Sequence, residues 1–373
     1  MEEKKVKQYT NLSMVVFFAL IILGCILALT LYQVLYVQTY VDINIYVFDV
    51  IVLALGYFVS VSLYYLGKYI FGLISGYRLI NFNFWFINFI KDKNNKTQVK
   101  PCKLHNLGCR VIMAPNNEKP NYKLYLFGGT IFTMPICLIA IIVSLFLHVE
   151  DDFKYYLLFI FAFIPFVCLG NLIPVRLDGN NEGFTLRLLK DENQVEIYHR
   201  NLLQHEALVN GRSELKYYEC RTPVTPFDLD TLYYNYYYCI DNQEFLKALR
   251  ISEELIKNSD AITDLSRVYL GYTGKIYELC RQKRFEESDR FFWELKHDIR
   301  NVVRNKNNFE SIKICLFVAA YMETNYDEYL NLYYRKEKAS KQYEYTSRIE
   351  KEVEIINQTI KSIQTDHSDW YVE

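Results

Sequence analysis

The sequence predicts a mostly α-helical protein: a polytopic membrane domain of about four spans with a small interfacial β element, then a cytosolic α-helical, repeat-like domain. Three observations lead there. Long apolar segments crowd into the first half, at about 13–37, 45–75, 123–148 and 153–175, and a crossing helix needs about 20 mostly apolar residues. Between the second and third lies a run in which aromatics alternate with asparagines. Beyond about residue 225, Tyr- and Leu-rich helical patterns recur with a period near 40. The 51% hydrophobic content averages over these unlike halves.

Residues 1–43 form a cytosolic head, with Lys4, Lys5 and Lys7, and a first membrane helix. That helix is too long, and too polar at its C-terminal end, for a cleaved signal peptide, so it reads as retained. Residues 44–180 form the membrane core, with a loop at 76–122. The loop from Arg78 to Lys123 is rich in Lys and holds Arg110, whereas the short loops at 37–44 and 148–153 have no Lys or Arg but carry Asp42, Glu150, Asp151 and Asp152. The excess of cations marks the cytosolic side. Both termini therefore face the cytosol.

Within the loop, Arg78-Leu-Ile-Asn81-Phe-Asn83-Phe-Trp-Phe-Ile-Asn-Phe-Ile90 has the period of two expected of a strand or hairpin at the membrane surface. The alternative is an interfacial aromatic belt. Cys102, His105 and Cys109 supply three soft ligands within eight residues, but a structural zinc site wants four. They read as ordinary loop residues. None of the nine cysteines forms a C-x-x-C pair, and disulfides are not expected on the cytosolic side. The net charge of -1 and the absence of a basic stripe argue against nucleic acid as a partner, and no glycine-rich phosphate loop is present.

Residues 181–224 read as a cytosolic connector and 225–373 as helices. Asn242-Gln-Glu-Phe245-Leu-Lys-Ala248, Gln282-Lys-Arg-Phe285-Glu-Glu-Ser288 and Asn325-Tyr326-Asp-Glu-Tyr329 share a polar turn, an aromatic, and a small or aromatic residue three later. The recurrence resembles an elongated tetratricopeptide-type array, with an irregular helical bundle as the alternative. Such arrays offer a groove to a protein partner. The charged final helix, about 339–364, is expected to cap the array.

Two longer motifs frame the membrane core. Tyr64-Tyr65-Leu66-Gly67-Lys68 is followed by Gly72 and Gly76-Tyr77-Arg78, and Asn171-Leu-Ile-Pro174-Val-Arg-Leu-Asp178-Gly179 ends the last span. Gly108–Pro115, Leu126-Phe-Gly128-Gly129, the run from Tyr198 and Asn210-Gly211-Arg212 complete the pattern. Over roughly residues 44–220 the chain resembles the site-2 protease family of intramembrane zinc metallopeptidases, as a degenerate member. The family's H-E-x-G-H falls on Tyr64, Tyr65 and Lys68. Two histidines at i and i+4 grip the zinc and the glutamate serves as general base; phenols and an ammonium do not replace them. The resemblance therefore implies no catalytic residues and no metal or other cofactor, with Asp178 as the one retained ligand position.

Several expectations follow. Lys68, about 12 Å inside its helix end, needs a partner, and Asp178 is proposed for an ion pair; a water-filled vestibule is the alternative. Tyr64 and Tyr65 either plug the metal pocket or are interfacial aromatics. Asn171 and Pro174, with Asn81 and Asn83 on the family's substrate-pairing strand, are candidate peptide-binding residues. Ser62, His148, His199 and His205 form no nucleophile–base set.

The leading reading is a catalytically inactive, multi-pass protein of a bacterial cytoplasmic membrane. It would bind a membrane-embedded or secreted-precursor peptide, such as a leader, and a cytosolic protein through 225–373, alongside an active homologue or exporter, in peptide maturation, export, signalling or immunity. One alternative is an active intramembrane metalloprotease with atypical zinc ligands. The other is a membrane anchor for the helical domain.

Overall fold

The computed structural model describes residues 43–102, 108–146, 151–174, 176–177, 179–220, 225–259, 265–305, 309–341, 343 and 345–370. The expected first span, His105, His148 and Asp178 lie outside the described residues. The fold is mostly helical with a small antiparallel sheet. Residues 92–94 aside, it divides into two compact units between residues 195 and 196. That boundary falls inside the expected 181–224 connector, whose first part therefore belongs to the first unit.

The first unit is built on α1 (Ile43–Ile74), α2 (Tyr122–Phe146) and α3 (Asp151–Leu172), which all pack against one another. Two stretches among the described residues, Ala54–Ile74 and Tyr122–Ser144, are long and apolar enough to cross a membrane. Glycines set the α1–α2 approach: a Cβ on Gly129 would stand 2.7 Å from the Tyr64 ring, and one on Gly128 2.5 Å from Phe71. Small residues admit this proximity where apolar surroundings give helices little other reason to associate. Ser60, Thr133 and Ser144 turn their hydroxyls onto carbonyls four residues back in their own helices, which satisfies them without water.

Gly76 (φ 85) ends α1 in the left-handed conformation that favours glycine, and the chain turns directly into the sheet. The strands β1 (Tyr77–Trp85), β2 (Ile87–Lys91), β3 (Thr97–Pro101) and β4 (Gly108–Pro115) lie in the order β3-β2-β1-β4, with a bulge between Leu79 and Asn81. The sheet runs lengthwise beside α1 rather than sitting only at its end. Trp85 stacks on Phe58 at 4.5 Å and its indole N–H donates to Ser62 Oγ at 2.8 Å, Phe82 stacks on Tyr69, and Met113 covers Gly72. Positions 58 to 72 cover about 21 Å of helix. β1 is also not an edge: it pairs on both sides, with β2 and β4. The strand-adding edge expected over 78–90 is thus occupied, and the sheet's outer strands are β3 and β4.

The unit closes with two short paired strands, β5 (Arg176–Leu177) and β6 (Gly179–Asn180), the seven-residue α4 (Glu182–Leu188), and the start of α5 (Glu192–Asn210).

The second unit contains the rest of α5 and three helical hairpins. They are α6 (Pro226–Asp241) with α7 (Phe245–Lys257), α8 (Leu265–Arg281) with α9 (Phe285–Glu294), and α11 (Phe309–Phe317) with α12 (Tyr326–Ser340). A short α10 (His297–Val303) precedes the third hairpin and α13 (Ile349–Asp366) follows it. Each hairpin turns through one left-handed residue: Gln243 (φ 59), Lys283 (φ 59) and Thr324 (φ 47). In the first two, paired backbone bonds of the Schellman type close the turn: Glu244 N to Cys239 O with Gln243 N to Ile240 O, and Arg284 N to Leu279 O with Lys283 N to Cys280 O. The third turn comes one residue later in its repeat, and the π-helical turn Val318–Met322 absorbs that residue.

The final helix α13, expected over about 339–364, runs over Ile349–Asp366 and packs chiefly on α11 and α12 of the last hairpin. Ion pairs extend from it to the other two hairpins. Arg348, which leads into it, pairs with Asp241 at the end of α6, Glu352 pairs with Lys313 on α11, and Asp366 pairs with Lys283 after α8. Trp370 closes on Tyr326 and Tyr329 of α12. All three hairpins are tied to one helix. The abundance of tyrosine also finds its use here, as Tyr233, Tyr234, Tyr236 and Tyr237 of α6 are core residues.

Candidate functional site

The last turns of α1 carry the residues singled out by sequence. Tyr64 is fully enclosed, in a cluster with Cys137 of α2 and Ile164 and Cys168 of α3. The space left by Gly129 admits its ring. Its hydroxyl and that of Thr130 are both buried and lie beside one another. Tyr65 stands edge-on to it at 5.4 Å.

One turn further, Lys68 is buried at 8% exposure and its Nζ lies 2.5 Å from Oε1 of Glu182, itself 7% exposed. The rings of Tyr125 (5.2 Å) and Tyr65 (6.0 Å) flank the ammonium, a favourable placement for a desolvated cation. Tyr125 is fixed by stacking on Tyr77 at 4.6 Å and by donating to Val111 O at 3.3 Å.

Glu182 is delivered by a tight junction between α3 and α4. Asn181 is the N-cap of α4: its Oδ1 accepts from Phe184 N at 2.9 Å while its Nδ2 donates to Ile173 O at 2.6 Å. A Cβ on Gly183 would run into the Leu172 carbonyl, so glycine lets α4 begin directly on the end of α3. Tyr122 Oη donates to Leu189 O at 3.0 Å and holds the far end of α4 to α2. Asp178, the partner expected of Lys68, lies outside the described residues. The sequence signal for Glu182 is Asn181-Glu182-Gly183: a capping residue, an acid in the first turn, and a glycine.

The zinc that an active member of the resembled family would hold does not fit this donor set. Tyr64 faces a largely apolar cluster, Lys68 brings an ammonium, and Glu182 is engaged by that ammonium. A dication beside Lys68 would meet like charge, and zinc takes imidazole, thiolate or carboxylate. Among the described residues no three His, Cys, Asp or Glu side chains gather. In the loop, Cys109 is buried and burial pushes its thiol above the usual range, which disfavours the thiolate that binds metal.

The peptide-binding candidates are not brought to one point. Asn171 is half-buried and donates to Val167 O of its own helix at 3.1 Å, and Pro174 is half-buried beyond it. Asn81 and Asn83 point to one face of the sheet, where Asn83 opposes Asn88 on β2 and Arg110 on β4. The Oδ1 atoms of Asn81, Asn83 and Asn88 are all enclosed without partners. Ser62 donates to Phe58 O besides receiving Trp85. His205 is buried edge-on between Tyr234 and Tyr345, and burial lowers the pKa of His199.

No family model, curated protein or solved structure matches the chain. The Lys68–Glu182 pair and its aromatic surround are thus read on their own geometry.

Proposed function

We propose that the chain is a membrane-embedded, non-catalytic peptide-binding protein of site-2 protease-like design. The observation that carries this reading is the buried Lys68–Glu182 pair at the place where the resemblance puts the catalytic metal. An ion pair so placed joins α1 to α4 and engages both of its charged groups with each other. A membrane setting is supported by the outward apolar side chains of Ile51 and Leu55 on α1 and of Leu138, Ile139 and Val143 on α2, together with Phe86 at the tip of the β1–β2 turn. The reading keeps four spans with both termini cytosolic, in a bacterial cytoplasmic membrane. Its ligand is a transmembrane or leader-type peptide held beside the sheet and Asn171. The helical unit, as a repeat array, takes a cytosolic protein on its outer surfaces, away from α13.

Photo-crosslinking in vesicles tests this reading, with apolar model peptides and the probe placed at position 83 or 171. Saturable crosslinking without cleavage is the expected result. Cleavage of the peptide would favour the metalloprotease alternative, and no crosslink at either position would leave the anchor reading.

A further inference from the structure

Glu278 lies on α8 at 0% exposure, and neither of its carboxylate oxygens has a hydrogen-bond partner among the described residues. Other buried acids of this unit are answered. Glu352 takes Lys313 at 2.7 Å and Arg348 at 3.1 Å, and Glu310 accepts from Tyr237 and Tyr343. Glu278 has nothing comparable. α6 presents Tyr236 and Cys239 to it, α11 presents Lys313, and α8 itself adds Tyr277 and Arg281. Lys313 is committed to Glu352, and the Arg281 guanidinium lies over the Phe245 ring. The Gln282 amide nitrogen, one turn on, is enclosed and bonded to nothing either.

An ionised carboxylate in such a place has lost its hydration with no donors to replace it, and a buried acid then keeps its proton. We propose that Glu278 is a buried proton switch, carried as a neutral carboxylic acid in the packed helical unit, whose ionisation loosens α8 from α6 and α11. Burial pushes its pKa from the ordinary 4.5 up to about 7, against the opposing pull of Arg281 and Lys313. The folded unit then holds a proton that the unfolded chain releases. Its stability is full below about 4.5, falls as pH rises towards about 7, and levels off above. The helical unit is thereby tightest in mildly acid conditions, and a shift through neutrality changes how readily its hairpins open.

Hydrogen exchange of the full chain in detergent, read by mass spectrometry on peptides from α8 and α11 at pH 5 and pH 8, tests this. Rates are corrected for the intrinsic pH dependence of exchange. The wild type should lose protection by roughly 50-fold between the two conditions, and Glu278→Gln should lose little. Glu278→Met provides a second, apolar variant with the same expected flat profile should the amide not fold. Equal protection at both pH values in the wild type, or an unchanged pH dependence in a folded variant, would overturn the proposal.

Discussion

Lys68 shows how one residue decides what this site can do. A lysine inside an apolar helix is costly unless it is paired, and Glu182 supplies the pair at 2.5 Å. Removing one partner strands the other charge, which typically costs about 3–5 kcal/mol, whereas removing both is often nearly neutral. Lys68→Met and Glu182→Gln should each lower the thermal unfolding midpoint in detergent sharply, and the double variant should recover much of the loss. Additive losses would show that the two side chains act independently. The pair was half legible in sequence. Lys68 called for a carboxylate, but the choice of Glu182 depends on Gly183 letting α4 start against the Leu172 carbonyl, a contact no local pattern announces.

Among elements, the three helices of the first unit fall within a few residues of the apolar segments at 45–75, 123–148 and 153–175. Hydrophobic run length reports burial or lipid directly, so these were readable. Strand character was readable too, from alternation between Arg78 and Ile90. Strand order was not, because β4, further along the same loop, takes the second side of β1. The α1–α2 crossing rests on glycine. Gly129→Leu must displace Tyr64 from its enclosed site, a strain of about 1–3 kcal/mol or more, seen as loss of a monodisperse peak in size-exclusion chromatography. In the second unit, Gln243 holds φ 59 without being glycine. Gln243→Gly should raise stability by about 0.5–1 kcal/mol in chemical denaturation; a loss would mean that the side chain matters more than the turn.

Across the whole molecule, two differently built units follow one another in the chain. The first relies on glycine contacts and one buried ion pair, the second on tyrosine packing and a charged lattice around α13. Glu352 shows the balance in that lattice: burial raises its pKa, but Lys313 and Arg348 outweigh it and hold the carboxyl low. Arg348→Ala would leave Asp241 and Glu352 short of a partner, at a cost of about 3–5 kcal/mol. Limited proteolysis should then release α13 earlier than in the wild type. The period near 40 was visible in sequence because each turn repeats its polar and aromatic residues. The path of α13 was not, since its contacts with Asp241, Lys283 and Lys313 join residues far apart in the chain.

The central claim, that an ion pair stands where a metal would be needed, is tested most directly by the zinc content of the detergent-purified full chain, wild type beside Asp178→Ala. The account expects far less than one zinc per chain in both. About one zinc per chain, lost on replacing Asp178, would contradict it and restore a metalloprotease whose ligands lie elsewhere.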